Sequence, residues 1–111
     1  MNRTGLAALV AAVFFVTPAF AADIEGNWKT QSGETANIAQ CGGSFCIKLT
    51  TGEFAGKQIG KVTGSGPYSG TITDPADDKT YSGKATVSGN SMKMKGCALK
   101  IFCKTQTWNK L

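Results

Sequence analysis

From residue 22 onward, apolar side chains recur at every second position rather than every third or fourth, the signature of half-buried strands. Tyr81, Gly83, Ala85 and Val87 alternate with Ser82, Lys84, Thr86 and Ser88, and Met92 and Met94 alternate with Lys93 and Lys95. Clusters of Gly, Asn, Asp and Pro interrupt the alternation and mark turns. The pattern predicts strands over 24–31, 35–41, 45–51, 58–63, 69–74, 80–88, 91–97 and 101–109. Between Thr51 and Gly66 it is poor, with only Phe54, Ile59 and Val62 as larger apolar anchors, and residues 64–70 read as a flexible connection. Gly42-Gly43 is the clearest hairpin turn, because glycine takes positive φ cheaply. Eight strands this short suit an all-β fold, a small antiparallel up-and-down barrel, rather than a large sandwich.

Strand parity places the side chains. Trp28, Ile38, Phe45, Ile47, Leu49, Ile72, Tyr81, Val87, Met92, Met94, Phe102 and Trp108 are expected inside, with Gly70, Gly83, Ala85 and Gly96 as small positions that hint at space. Lys104 and Gln106 share the inward parity of the last strand, and an unpaired Lys inside a small lumen needs an anionic partner or an open mouth. The same parity sends Cys41, Cys46, Cys97 and Cys103 outward. Of three possible connectivities, Cys41 to Cys46 and Cys97 to Cys103 each staple a hairpin across a short loop. A zinc site of four cysteines would use C-x2-C knuckles, which these spacings lack.

Composition adds a compartment. Residues 1–21 carry a basic start, an apolar core from Leu6 to Val16 and the Ala19-Phe20-Ala21 cleavage pattern of a secretory signal peptide. Eleven apolar residues are too few to span a bilayer, so no membrane span is expected. The mature domain, 22–111, should begin at Ala22 in an oxidising space, the periplasm or the medium. It carries 11 Lys, no Arg and 7 acidic residues. An all-Lys surface lacks the bidentate Arg of specific nucleic-acid recognition, so no such partner is expected.

Gly26-x-Trp28 near the start of the first strand resembles the lipocalin signature, in which this Trp closes one barrel end under a basic residue of the last strand. Further matches follow at Cys41 and Cys46, Gly70-x-Ile72-x-Asp74-Pro75, Tyr81, Gly96-Cys97 and Gln106-x-Trp108-x-Lys110. In that order they resemble the bacterial secreted family called domain of unknown function 2147, grouped with lipocalin-like barrels. Lys110 stands where members usually carry Arg, and the middle segment is shorter than in many members. The resemblance implies a fold and no activity.

The chain has no His, which removes Ser-His-Asp and Cys-His catalysis, and no Ser lies in a G-x-S-x-G elbow. Asp74, Asp77 and Asp78 surround a Pro-containing turn without the ligand spacing of a calcium loop. No enzyme, cofactor or metal is expected. The expected function is binding of a small apolar or amphipathic anionic molecule in the lumen by Trp28, Tyr81, Met92, Met94, Phe102, Lys104, Gln106 and Trp108. The alternative is a non-enzymatic envelope interaction module with a filled core, a hydrolase inhibitor or polymer-binding protein. Intact-mass measurement of the exported protein should give a chain beginning at Ala22; a retained leader or a lipid adduct would contradict the assignment of residues 1–21.

Overall fold

The computed structural model describes residues 22–98 and 102–111, and the leader lies outside them. Eight antiparallel strands close into a barrel in simple up-and-down order. They are β1 (Gly26–Lys29), β2 (Thr35–Cys41), β3 (Ser44–Leu49), β4 (Gln58–Gly64), β5 (Tyr68–Asp74), β6 (Lys79–Ser88), β7 (Ser91–Ala98) and β8 (Phe102–Lys110). No helix among the described residues is long and apolar enough to cross a membrane. The alternation read from the sequence therefore gives the strands within a few residues. β1 is shorter by two residues at each end, β3 ends two residues early, residue 101, the expected start of the last strand, lies outside the described residues, and the segment 64–70 differs from the connection expected there.

That segment is not a loose connection. Gly64 pairs with Tyr68 in a tight hairpin, and Tyr68 opens β5 with its ring buried. The stretch after β3 is also ordered, because Leu49 N donates to Lys57 O at 3.0 Å and Gly56 N donates to Leu49 O at 2.7 Å. Ile59 is the extra residue where the β3–β4 register shifts, so it and the adjacent Gly60 are both buried.

Burial is graded along the barrel. At one end Ile24, Trp28, Ile38, Val62, Tyr68 and Met92 are at most 2% exposed, while Leu49, Ile59 and Met94, nearer the other end, reach 4–6%. The sealed end is capped by the segment ahead of β1. Its Ile24 side chain enters the core, and its carbonyl accepts the indole N–H of Trp28 at 2.9 Å. The Tyr68 hydroxyl donates to Asp23 Oδ1 at 2.5 Å, and Lys110 Nζ donates to Asp23 O at 3.2 Å. Lys110 Nζ also stands 5.3 Å from the Trp28 ring centroid, a cation–π contact that Lys supplies in place of Arg. Gly26 is where this closure admits no side chain: its φ is 130°, and a Cβ there would stand 3.1 Å from Lys110 Cε.

The cysteines pair as the hairpins require. Cys97 and Cys103 are direct cross-strand partners, with Cα atoms 4.0 Å apart, and Cys41 bridges diagonally to Cys46 over 5.8 Å. There is no free cysteine. The first bond lies at the sealed end and the second at the opposite end, so each fastens a different rim. Replacing either pair by Ser should lower stability by no more than about 2 kcal/mol in denaturant titration, because short loops release little chain entropy; a much larger loss would mean that the bonds do more than close hairpins.

Burial, followed by the hydrogen bond to Asp23, pushes the Tyr68 hydroxyl up to about 12. An unfolded tyrosine releases its proton near 10. The protonated hydroxyl thus favours the folded state fully below that value, and the benefit is lost as pH rises towards 12. Tyr68→Phe should cost about 1 kcal/mol at neutral pH and flatten the fall in stability between pH 10 and 12. An unchanged alkaline slope would remove Tyr68 from the account.

Candidate functional site

The end opposite the cap is open. A cavity of about 410 Å³ enters the barrel there, within the size range of small-molecule pockets. Its floor is apolar, built from Leu49 of β3, Ile59 of β4, Ile72 of β5, Tyr81 of β6, Met94 of β7 and Trp108 of β8. All but Ile59 point inward because period-2 alternation leaves no other direction once the opposite face is solvated, and Ile59 is turned inward by the bulge in β4. Phe54, from the loop between β3 and β4, packs half-buried against the core and forms one wall.

The rim is polar, and loops supply most of it. Thr30, Ser32 and Glu34 come from the turn after β1, Thr51 and Glu53 from the loop after β3, and Thr73 and Asp74 from the end of β5. Two of these loops are tied together: Thr51 Oγ1 donates to Glu34 Oε1 at 2.7 Å and accepts from Thr35 N at 2.8 Å. Thr30, 8% exposed, has its hydroxyl 3.0 Å from Ser32 Oγ and accepts the Glu34 N–H at 3.2 Å. Lys104 and Gln106 of β8 complete the ring. Among the described residues, Glu34, Glu53 and Asp74 thus share the mouth with Lys104.

Gln106 is held in place. Its side-chain oxygen accepts the indole N–H of Trp108 at 3.0 Å, and the residue lines the cavity mouth. Lys104 needs no buried partner, because it is exposed at the mouth. An open mouth was one of the two ways a Lys on this parity could be accommodated.

Five of the eight residues expected to line the lumen meet in this cavity: Tyr81, Met94, Lys104, Gln106 and Trp108. The other three do not. Trp28 and Met92 are fully buried towards the sealed end, where the cap fills the barrel and they act as core. Phe102 keeps the inward parity of β8 but pairs with Ala98 beyond the Gly96–Lys104 rung, and it is 59% exposed. Parity fixes a side chain's face and not its depth along the axis.

Of the small positions expected to leave space, Gly96 borders the cavity, and Gly70 and Gly83 do not. A Cβ on Gly83 would come within 2.5 Å of Ile72 Cγ1, so that side chain already covers it, whereas Gly96 lines the cavity beside Tyr81, whose Cβ would stand 3.3 Å from a Cβ there. At Gly70 a Cβ would stand 1.9 Å from Lys61 O, which makes that glycine the condition for β4 and β5 to approach. The cavity enters at the end opposite the cap, and Gly96 is the one glycine in its lining among the described residues.

The rim carboxylates were not anticipated as site residues. Glu34 and Glu53 lie in loops where alternation carries no information, while Asp74 stood out only as part of its turn. There its Oδ1 accepts the Ala76 N–H at 2.9 Å, and Asp77 Oδ1 accepts the Lys79 N–H at 3.1 Å. Both carboxylates thus serve the turn itself, as the sequence pattern suggested. Among the described residues no group of three or more Cys, Asp or Glu is arranged to hold a metal ion.

No curated protein and no solved structure matches the chain. A family model does, that of an uncharacterized protein conserved in bacteria (DUF2147), over residues 54–110. The match runs from the Phe54 wall of the cavity through every strand from β4 to β8, 57 of the 111 residues. The chain belongs to this bacterial family of unknown function, here in the form of a small eight-stranded antiparallel barrel.

Proposed function

We propose that this is an exported, non-enzymatic barrel that binds a small amphipathic molecule through its open end. The observation that carries the reading is the contrast between a sealed, fully packed end and an open cavity with an apolar floor. A filled barrel would have favoured the interaction module, as would an exposed apolar loop around Phe54, but Phe54 packs on the core. Two disulfides fit an oxidising compartment, in keeping with the leader expected at residues 1–21.

The rim refines the ligand. Lys104 and the Gln106 amide offer donors to an anionic or polar oxygen, while Glu34, Glu53 and Asp74 disfavour a head that is negative throughout. A compact zwitterionic head fits this ring better than the carboxylate of a simple fatty acid. Its anionic oxygen would lie at Lys104, and its cationic part would face the carboxylates. The apolar tail would lie against Ile72, Tyr81, Met94 and Trp108. Affinity would come mainly from the tail and orientation from the head.

Trp108 lies in the floor and Trp28 outside it, so the Trp28→Phe variant carries a single reporter of the cavity. Titration with alkylphosphocholines should change its fluorescence, and each added methylene should strengthen binding by about 0.8 kcal/mol, about fourfold, until the floor is filled. Fatty acids of equal chain length should bind more weakly. Lys104→Met should weaken the phosphocholines and spare neutral alkyl glycerols. Saturating amounts of both classes with no change at Trp108 would overturn ligand binding.

A further inference from the structure

Charge is segregated on this barrel. All seven carboxylates lie off the outer strand faces: Asp23, Glu25, Glu34, Glu53, Asp77 and Asp78 are outside the strands, and Asp74 ends β5 on the inward parity. The outward strand positions carry six lysines, Lys29, Lys48, Lys61, Lys84, Lys93 and Lys95, and no acid. Three of them converge. Lys84 of β6 is the direct cross-strand partner of Lys95 of β7, and Lys93, two residues before Lys95, is diagonal to Lys84. Like charges directly opposite destabilise a sheet, and the wall offers them no neighbouring carboxylate. Beside the pair runs a surface groove of about 350 Å³, lined by Ser69, Ser82, Lys84, Lys95 and Cys97. The outward positions around it, Thr71, Thr86, Thr105 and Thr107, add further hydroxyls.

We propose that the outer wall of β5–β8 is a binding surface for an anionic polysaccharide, seated at Lys84, Lys93 and Lys95. Lysine ammonium groups attract oxyanions without demanding the planar geometry that Arg imposes, and the flanking Ser and Thr hydroxyls can exchange hydrogen bonds with sugar hydroxyls. The other polyanions fit less well. No outward position of β5–β8 carries an aromatic ring on which a base could stack, and none carries an apolar side chain that could enter a bilayer. This surface is on the opposite face of the sheet from the cavity, so it stands or falls independently of the lumen reading.

The test uses fluorescently labelled polygalacturonate and the intact mature protein at about 50 mM salt, where surface charges are not fully screened. Binding should be measurable to this polymer and absent for neutral dextran. Lys84→Gln with Lys95→Gln should weaken it about tenfold. Lys29→Gln with Lys57→Gln, the same loss of net charge elsewhere, should weaken it less than twofold. Equal losses in the two double variants would reduce the effect to net charge and overturn the site. So would undetectable binding to polygalacturonate, or tighter binding to phosphatidylglycerol vesicles or poly(dT) at equal charge concentration. All four lysines are exposed, and circular dichroism of the variants verifies that the fold is intact.

Discussion

The capping of one barrel end by residues 22–25 is the constraint on which the rest of the structure depends. An eight-stranded barrel is just wide enough for its own side chains, and whether it holds anything else is decided by what fills each end. Here Ile24 enters the core, Trp28 donates to its carbonyl, and Tyr68 and Lys110 both fasten Asp23. Three parts of the chain that are distant in sequence thus meet at one rim. Because polar groups at this rim satisfy one another, the apolar residues above them can be fully buried. Among the described residues the opposite rim has no such cap, and the cavity enters from that side.

The fold was largely legible because its information is local. Alternation in β6 and β7, glycine pairs at turns and the spacing of the cysteines are each readable within about ten residues. Depth along the barrel axis is different, because it depends on how the strands are staggered against one another. That is why Met92 and Met94, two residues apart on one face, separate into core and cavity floor, and why Phe102 emerges beyond the mouth. Gly83 misleads for a related reason: a missing side chain signals room only if no neighbour leans into it, and Ile72 does, whereas Gly96 borders the cavity. Tyr68 was hidden by the Gly- and Pro-containing segment around it, whose composition reads as loop although its last residues pair.

The barrel presents two different chemistries on the two faces of one sheet. Inside the mouth, carboxylates and Lys104 ring an apolar floor. Outside, lysines and hydroxyls cover the wall without a carboxylate among them. Turn formation accounts for part of this division, since Asp and Asn close their own turns through side-chain acceptors. It also keeps the exposed strand faces positively charged, which opposes association between copies of the barrel.

The seam between β1 and β8 is the narrowest join in the sheet. Only Trp28–Lys110 and Lys29–Asn109 pair across it, whereas β7 and β8 pair over eight rungs. The Gln31 side chain extends the seam by one further bond, accepting the Thr107 N–H at 3.0 Å, and Leu111 N donates to Asn27 O at 3.0 Å. Closure therefore joins the two ends of the domain through few backbone bonds, while every other strand pair is a local hairpin. The hairpins can form early and independently, and ring closure, with its larger loop entropy, comes last. The same seam has the fewest paired residues of any join in the ring, so it has the least backbone pairing to lose when the barrel opens.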